Sequence, residues 1–176
     1  PSRAQRLLKS GDIIFQMVRP YQRNNLLFIS EDILNYVAST GYAQLRAYQS
    51  NKYLYQYVHT DQFVNRVISK CTGSSYPAIN SNDLSEIIIE IPQTEEEQQK
   101  IADCLSSIDE LIIIQTQKLT IYKNHKKGLM QQLFPAEGEA VPKLRFHEFK
   151  DMRGWTESTL GEAATFINGR AFRQEE

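Results

Sequence analysis

The apolar residues of this chain change their spacing along its length, and the first 92 residues hold them in short runs. Runs of β-branched and apolar residues bounded by turn residues are typical of strands. The expected strands are residues 12–18, 26–29, 42–46 and 86–91, with 35–40 either paired to 42–46 across Gly41 or forming one bulged strand with it.

Residues 52–69 carry apolar side chains at helical spacing, which predicts a helix broken near Thr60 and Asp61. Residues 73–78 contain Gly73 and Pro77 and predict a turn. Residues 81–85 are expected to form a cap or a turn before the last strand. This mixture of short strands and helices predicts an α+β unit.

A much longer helix is predicted from Glu95 to Phe134. Thr94 and Glu97 have the spacing of a capping box, and neither proline nor glycine follows until Gly128. Apolar residues then alternate at steps of four and three, which is the heptad pattern of a coiled coil about 60 Å long. The expected helix–helix interface consists of Ile101, Leu105, Ile108, Ile112, Gln115, Leu119, Tyr122 and Leu129.

An isolated helix of this length is not stabilised by its own hydrogen bonds, so its apolar seam needs a partner. The partner is either a helix of another subunit or, alternatively, the chain's own folded unit. These patterns divide the chain into residues 1–93, the coiled-coil helix 94–135, and a linker and short tail 136–176. The tail is either the beginning of another domain or a piece that completes the first one.

Composition sets few limits on function. The net charge of −1 is mildly unusual for a DNA-binding domain, but residues 1–92 hold nine Lys and Arg against seven Asp and Glu. The sequence contains no run of eighteen or more apolar residues, so no membrane span is predicted. The two cysteines lack the spacing of a zinc site or of a disulfide scaffold, so a reducing cytoplasm is expected.

Enzymatic motifs are missing from the sequence. Its eight glycines form no phosphate-binding or cofactor loop, and there is no Pro-Pro pair of the kind an adenine methyltransferase motif carries. His59, His125 and His147 are far apart, which argues against a metal site. We therefore expect neither catalysis nor a cofactor of the chain's own.

Several phrases occur in one order along the chain and together carry a family resemblance. They are residues 10–15 (SGDIIF), 38–42 (ASTGY), 73–80 (GSSYPAIN), 89–92 (IEIP), 97–102 (EQQKIA) and 129–135 (LMQQLFP). The ordered set resembles the specificity subunit of type I restriction–modification enzymes.

The resemblance implies a protein with two target-recognition domains, each reading half of a split site in double-stranded DNA. A long helix follows each domain, and the two helices pair antiparallel as a spacer. They also dock methylation subunits, which carry S-adenosylmethionine, and a restriction subunit joins for cleavage.

In this register, residues 1–93 are the C-terminal part of one recognition domain. Residues 142–146 (PKLRF) and 155–162 (WTESTLGE) resemble the start of the next. A homodimer through the long helix, in which the tail of one chain completes the recognition domain of the other, is a hypothesis that this arrangement suggests.

Candidate DNA contacts lie in two polar segments and in the tail. Cationic, amide and aromatic side chains contact phosphates, read base edges or stack on bases. The candidates are Arg19, Tyr21, Gln22, Arg23, Asn24, Lys70, Ser74, Ser75, Tyr76, Arg170 and Arg173. The alternatives are a plain polar loop, a structural turn and a frayed terminus. A fragment that pairs with proteins without binding DNA, and an enzyme with degenerate motifs, remain the rival functions.

Overall fold

The structure, a computed structural model, describes residues 6–31, 35–167 and 169. The chain divides into two compact units, Pro1–Ile112 and Ile113–Glu176. The first unit contains a three-stranded sheet and three short helices, and a 39-residue helix begins in it. This confirms the α+β class with one long helix.

The sheet has the strand order β2-β1-β3 and is antiparallel throughout. Strand β1 (Ile13–Gln16) lies in the centre, with Ile13 and Phe15 fully buried, as the apolar run predicted. Strand β2 (Leu26–Leu27) is shorter than predicted. Strand β3 (Tyr42–Leu45) pairs with β1 along its whole length.

The expected strand at residues 35–40 is not formed, which corrects both versions of that prediction. Val37 makes only an isolated bridge to Leu7, and the amide of Leu8 donates to the carbonyl of Tyr36 at 2.9 Å. The backbone of this segment therefore turns toward residues 7–8, where the apolar run gave no indication of a partner.

Helices α1 (Asn51–Tyr57) and α2 (Asp61–Ser69) replace the single run predicted at 52–69, with the break at the expected place. Thr60 causes the break because its hydroxyl accepts from the amide of Phe63 and starts α2. The two helices cover one face of the sheet, and Phe15 meets Phe63 edge-on at 5.7 Å between ring centroids. The core therefore joins β1 to both helices.

Residues 86–91 are not the strand that their apolar run predicted. They follow helix α3 (Ser81–Ser85) without a strand partner, although Ile87 and Ile89 pack against the core. Side chains take the place of a neighbouring strand: Arg66 donates to the carbonyl of Ile88 at 2.6 Å, and the Tyr53 hydroxyl donates to the carbonyl of Glu90 at 3.1 Å. An apolar run in the sequence does not distinguish an extended segment bonded by a neighbouring strand from one bonded by side chains.

A buried carboxylate connects the two longer strands. Asp12 immediately precedes β1, and its side chain is 1% exposed. It accepts from the Arg46 guanidinium at 2.6 and 2.8 Å, from the Gln44 amide at 2.6 Å and from the Lys9 amide at 2.7 Å. These bonds meet the rule that a buried charge is paired and fully hydrogen-bonded.

Helix α4 (Glu95–Leu133) begins where the capping residues predicted, and Thr94 Oγ1 accepts from the Glu97 amide at 3.3 Å. Gln98 and Ala102 are its buried residues. The Gln98 amide donates to the carbonyl of Pro92 at 3.1 Å and to the side chain of Gln49. Farther along, the Gln56 amide donates to Asp109 at 2.7 Å. These contacts attach the first part of α4 to the first unit.

In the second unit, the segment after α4 folds back on the helix end. The rings of Phe134 and Trp155 lie 5.8 Å apart, and the amide of Leu144 donates to the carbonyl of Gln132 at 2.9 Å. Helix α5 (Leu160–Ala163) starts with a capping box formed by Thr159 and Glu162. In the described part of the chain, no helix is long and apolar enough to cross a membrane.

The ion pair that fixes residues 86–91 predicts a pH dependence of stability. Hydrogen bonds from Arg66 and then Tyr57 lower the pKa of Glu90 from 4.5 to about 2. A carboxyl with a lowered folded-state pKa stabilises the fold above its unfolded pKa, and the contribution disappears as pH falls toward the folded value. Glu90→Gln should therefore be less stable than the unchanged protein at pH 7. The difference in free energy of unfolding between the two proteins should narrow as the pH falls from 4.5 to 2.

Urea unfolding followed by circular dichroism measures this gap, and the other carboxyls cancel because both proteins carry them. A gap that stays constant across the acid range would contradict the assigned ion pair.

Candidate nucleic-acid interface

The residues after β1 form a tight loop, here called loop 19–24. Pro20 is buried and begins a 3₁₀ turn (Pro20–Gln22), for which its fixed φ is suited. Arg19 and Arg23 flank this turn, and both have the left-handed conformation with φ of 54°. A side-chain-bearing residue in that region costs on the order of 1–3 kcal/mol, and such residues cluster at functional sites.

The guanidinium of Arg23 is held by the protein itself. It donates to the carboxylate of Asp61 and, at 3.1 Å, to the carbonyl of His59, so the loop is attached to the corner between α1 and α2. Its charge is compensated by a neighbouring carboxylate. Arg23 remains a predicted DNA contact, and the structure gives it a clear anchoring contact as well.

The polar side chains of the loop are joined through Gln16, which the sequence analysis did not select. The Gln16 amide group donates to Gln22 Oε1 at 3.1 Å, and Gln16 Oε1 accepts from the backbone of Asn24 at 3.1 Å. Asn25 Oδ1 accepts from the backbone of Gln16 at 2.9 Å. The available signal was position, since Gln16 is the one polar residue in the apolar run 13–18 next to the loop.

The second predicted segment, here called turn 72–78, lies beside the loop. The Arg19 amide donates to the Pro77 carbonyl at 2.7 Å, and Val18 bridges Ala78. Thr72 and Ala78 exchange both backbone hydrogen bonds at 2.9 Å, which closes the turn. Two segments selected separately in the sequence therefore form one surface.

Arg19 and Tyr76 make the direct side-chain contact between these segments. The guanidinium carbon of Arg19 lies 4.1 Å from the centroid of the Tyr76 ring, within the range of a cation–π contact. Among the described residues, Arg19 Nε is the one buried side-chain polar atom without a hydrogen-bond partner. Tyr76 itself remains 65% exposed.

A shallow cavity of about 270 Å³ opens where the two segments meet. Amide, guanidinium and aromatic groups line it, and none of its lining residues is acidic. The lining residues are Gln16, Val18, Arg19, Gln22, Gly41, Tyr42 and Tyr76. Tyr42 and Gly41 are further residues that the sequence analysis missed, because it assigned them to a strand and a bulge.

The remaining candidates differ in position. Tyr21, Ser74 and Ser75 are exposed on the two segments. Lys70 lies just beyond α2, and its ammonium contacts Glu86 at 3.3 Å. Arg170 and Arg173 lie outside the described residues.

Helix α4 presents its predicted interface to solvent. Its larger apolar members, Ile101, Leu105, Ile108, Ile112, Leu119 and Tyr122, are 36–59% exposed. Gln115 is also exposed, and Leu129 is half-buried. Leu111, Ile113, Ile114 and Ile121 add exposed apolar surface beside the seam. A helix packed along its length on its own unit would bury these residues, and their exposure disagrees with that alternative.

No group of three or more His, Cys, Asp or Glu side chains suited to a metal ion occurs in residues 6–31 and 35–167. Cys71 and Cys104 are free thiols. The arrangement at the loop and turn is therefore one of hydrogen-bond donors, acceptors and stacking rings.

Comparison with known proteins gives the family. The model of the type I restriction modification DNA specificity domain matches residues 5–123, and the chain belongs to that family. Membership confirms the resemblance found in the sequence.

Individual relatives agree with this assignment. The type I restriction enzyme HindI specificity subunit of Haemophilus influenzae is 29% identical over 125 residues, which are 66% of this chain and 26% of that protein. The HsdS subunit from Thermoanaerobacter tengcongensis gives a TM-score of 0.55 at 30% identity. A chain of a type I R-M system gives 0.59 at 27% identity. Both structural matches cover 81% of this chain and 38% of the other. The chain thus spans a minor part of its relatives' length.

Gly73 allows turn 72–78 to close, which predicts a stability effect. Its φ is +91°, and a Cβ there would lie 3.0 Å from the carbonyl oxygen of Tyr76. Gly73→Ala should lower the free energy of unfolding by about 1–2 kcal/mol, because left-handed backbone disfavours a Cβ. Thermal unfolding measures the change.

Gly41→Ala is the control, since Gly41 does not have a positive φ and a Cβ there meets only Val18 Cγ2 at 4.0 Å. Equal losses of unfolding free energy in the two variants would contradict the role assigned to Gly73.

Proposed function

We propose that this chain recognises double-stranded DNA through the surface formed by loop 19–24 and turn 72–78, here called the recognition surface. The observation that carries the proposal is the stacking of Arg19 on Tyr76, which joins two segments selected independently for DNA-contacting side chains. Family membership supports it, because the matched family is a DNA specificity domain.

The chemistry of the recognition surface suits nucleic acid. Guanidinium and amide groups read base edges, and exposed tyrosines such as Tyr21 stack or contact sugars. The acid-free cavity lining favours an approaching phosphate backbone, since association with DNA depends on local potential more than on net charge. The chain's net charge of −1 therefore does not oppose DNA binding.

Within a restriction–modification system, the chain would act as the specificity component. We propose that it recognises half of a bipartite target and positions methylation subunits there, with the restriction subunit joining through them. S-adenosylmethionine would be bound by the methylation subunits. No cofactor of this chain enters the proposal.

Helix α4 is proposed as the element that pairs with another helix. Its residues 95–110 hold six acidic side chains and one basic side chain, whereas 111–133 hold four lysines and no acidic residue. Antiparallel pairing of two copies would place each acidic half beside a basic half, while parallel pairing would juxtapose like charges. Charge complementarity thus favours an antiparallel homodimer.

The recognition surface predicts a charge-sensitive interaction with DNA. Replacing both Ser74 and Ser75 by Glu places two negative charges on the exposed turn, where they would repel phosphates. Affinity for duplex DNA should fall by at least about tenfold at low salt, and the loss should shrink as salt rises. Fluorescence anisotropy with a labelled duplex pool measures it.

The control is the same double change at Ser106 and Ser107 on α4, which adds equal charge away from the surface. Equal losses of DNA affinity in both variants would show that the DNA interface does not lie at turn 72–78. If the unchanged chain does not bind duplex DNA at any salt concentration, the proposed function is wrong.

The helix proposal predicts a change of assembly. The unchanged chain should elute at twice its 20.3 kDa mass by light scattering. Ile108→Asp puts a charge on the seam, and loss of one buried isoleucine alone removes roughly 1.5–3 kcal/mol, so self-association should weaken at least about tenfold. Ser107→Asp, one position off the seam, should leave the mass unchanged. An Ile108→Asp dimer would refute the pairing.

A further inference from the structure

Arg19 and Arg23 share a backbone conformation but not a side-chain environment. Both flank the same 3₁₀ turn at φ of 54°. Arg23 is paired with the carboxylate of Asp61 and also donates to the carbonyl of His59. Arg19 forms no ion pair among the described residues, and its guanidinium lies on the Tyr76 ring. Of the two arginines, only Arg19 therefore offers an uncompensated fork to a ligand.

The stacking fixes the plane of that fork. The Tyr76 ring lies 4.1 Å from the guanidinium carbon, and turn 72–78 that carries the ring is bonded to the Arg19 backbone at 2.7 Å. With Nε shielded from solvent, the terminal nitrogens are the donors that remain for a partner. A planar pair of donors in a fixed orientation matches a pair of acceptors rather than a single charge.

We propose that Arg19 reads a guanine in the major groove and that Tyr76 positions it; the inference rests on the proposed function. Guanine presents two adjacent acceptors, O6 and N7, which an arginine engages in a bidentate manner, and no other base presents that pair. Gln16 and Gln22 line the same cavity, with their side chains bonded to each other. The half-site recognised by this chain therefore contains a guanine specified by Arg19.

The alternative chemistry for the same side chain is a phosphate contact. A phosphate contact is made to every sequence alike, so changing it would alter the affinity for all duplexes and leave the base preference unchanged. A guanine contact carries the base preference itself, and lysine, which keeps the charge but lacks the planar fork stacked on Tyr76, should weaken that preference. Arg19→Lys separates the two.

The experiment is selection of duplexes from a randomised pool by the full chain, followed by sequencing. The unchanged chain should enrich guanine at a fixed position. Arg19→Lys should reduce the preference at that position by at least about tenfold and leave the other positions as they were. Arg153→Lys is the control, since it makes the same chemical change outside loop 19–24 and turn 72–78, and it should keep the preference.

Tyr76 provides a second test that leaves Arg19 in place. Tyr76→Phe keeps the stacking ring and should retain the guanine preference, whereas Tyr76→Ala should weaken it. This pair decides the matter if Arg19→Lys does not fold, which its circular dichroism spectrum would show.

Three results would overturn the inference. One is an unaltered base preference in Arg19→Lys, and another is an unaltered preference in Tyr76→Ala. The third is an Arg19→Ala variant that keeps the preference while its salt slope falls by about one, which identifies a phosphate contact. If one of these results is obtained and the unchanged chain still selects a DNA sequence, only the assignment of guanine to Arg19 is wrong. If it binds no duplex, the proposed function fails too.

Discussion

The sheet depends on one buried charge, the carboxylate of Asp12. Burial by itself raises the pKa of Asp12, but the hydrogen bonds from Arg46, Lys9 and Gln44 outweigh it, so the pKa is lowered and the group remains ionised. A charge in this position stabilises the fold only while every partner is in place. Because Asp12 leads into the central strand, and that strand leads into loop 19–24, the recognition surface is supported by this network.

Sequence patterns predicted the elements whose own residues carry a complete signal and missed the segments whose backbone is bonded by distant side chains. Strand β1 and the long helix each have a complete signal in their own residues, and Thr60 marks the helix break by its capping chemistry. Residues 86–91 have the apolar run of a strand, but Arg66 bonds their backbone from 22 positions away in the chain. Periodicity reports which side chains are buried, not which group satisfies the backbone.

The candidate site shows the same division. Residue types in loop 19–24 and turn 72–78 were sufficient to suggest nucleic-acid contact, and these segments lie side by side. The pairing of Arg19 with Tyr76 was not predictable, since they lie 57 positions apart and a left-handed backbone at arginine has no compositional signal. Nor did the sequence distinguish Arg23, held by Asp61, from Arg19, because that difference is one of geometry.

The two contacts that attach α4 to the first unit lie on one side of the helix. Gln98 and Asp109 are eleven residues apart, which is close to three full turns. An added or deleted residue between them would rotate one contact by about 100° away from its partner. Changes in helix length are therefore tolerated poorly between these contacts and better beyond Asp109. Any lengthening of α4 during evolution should be found in its C-terminal part.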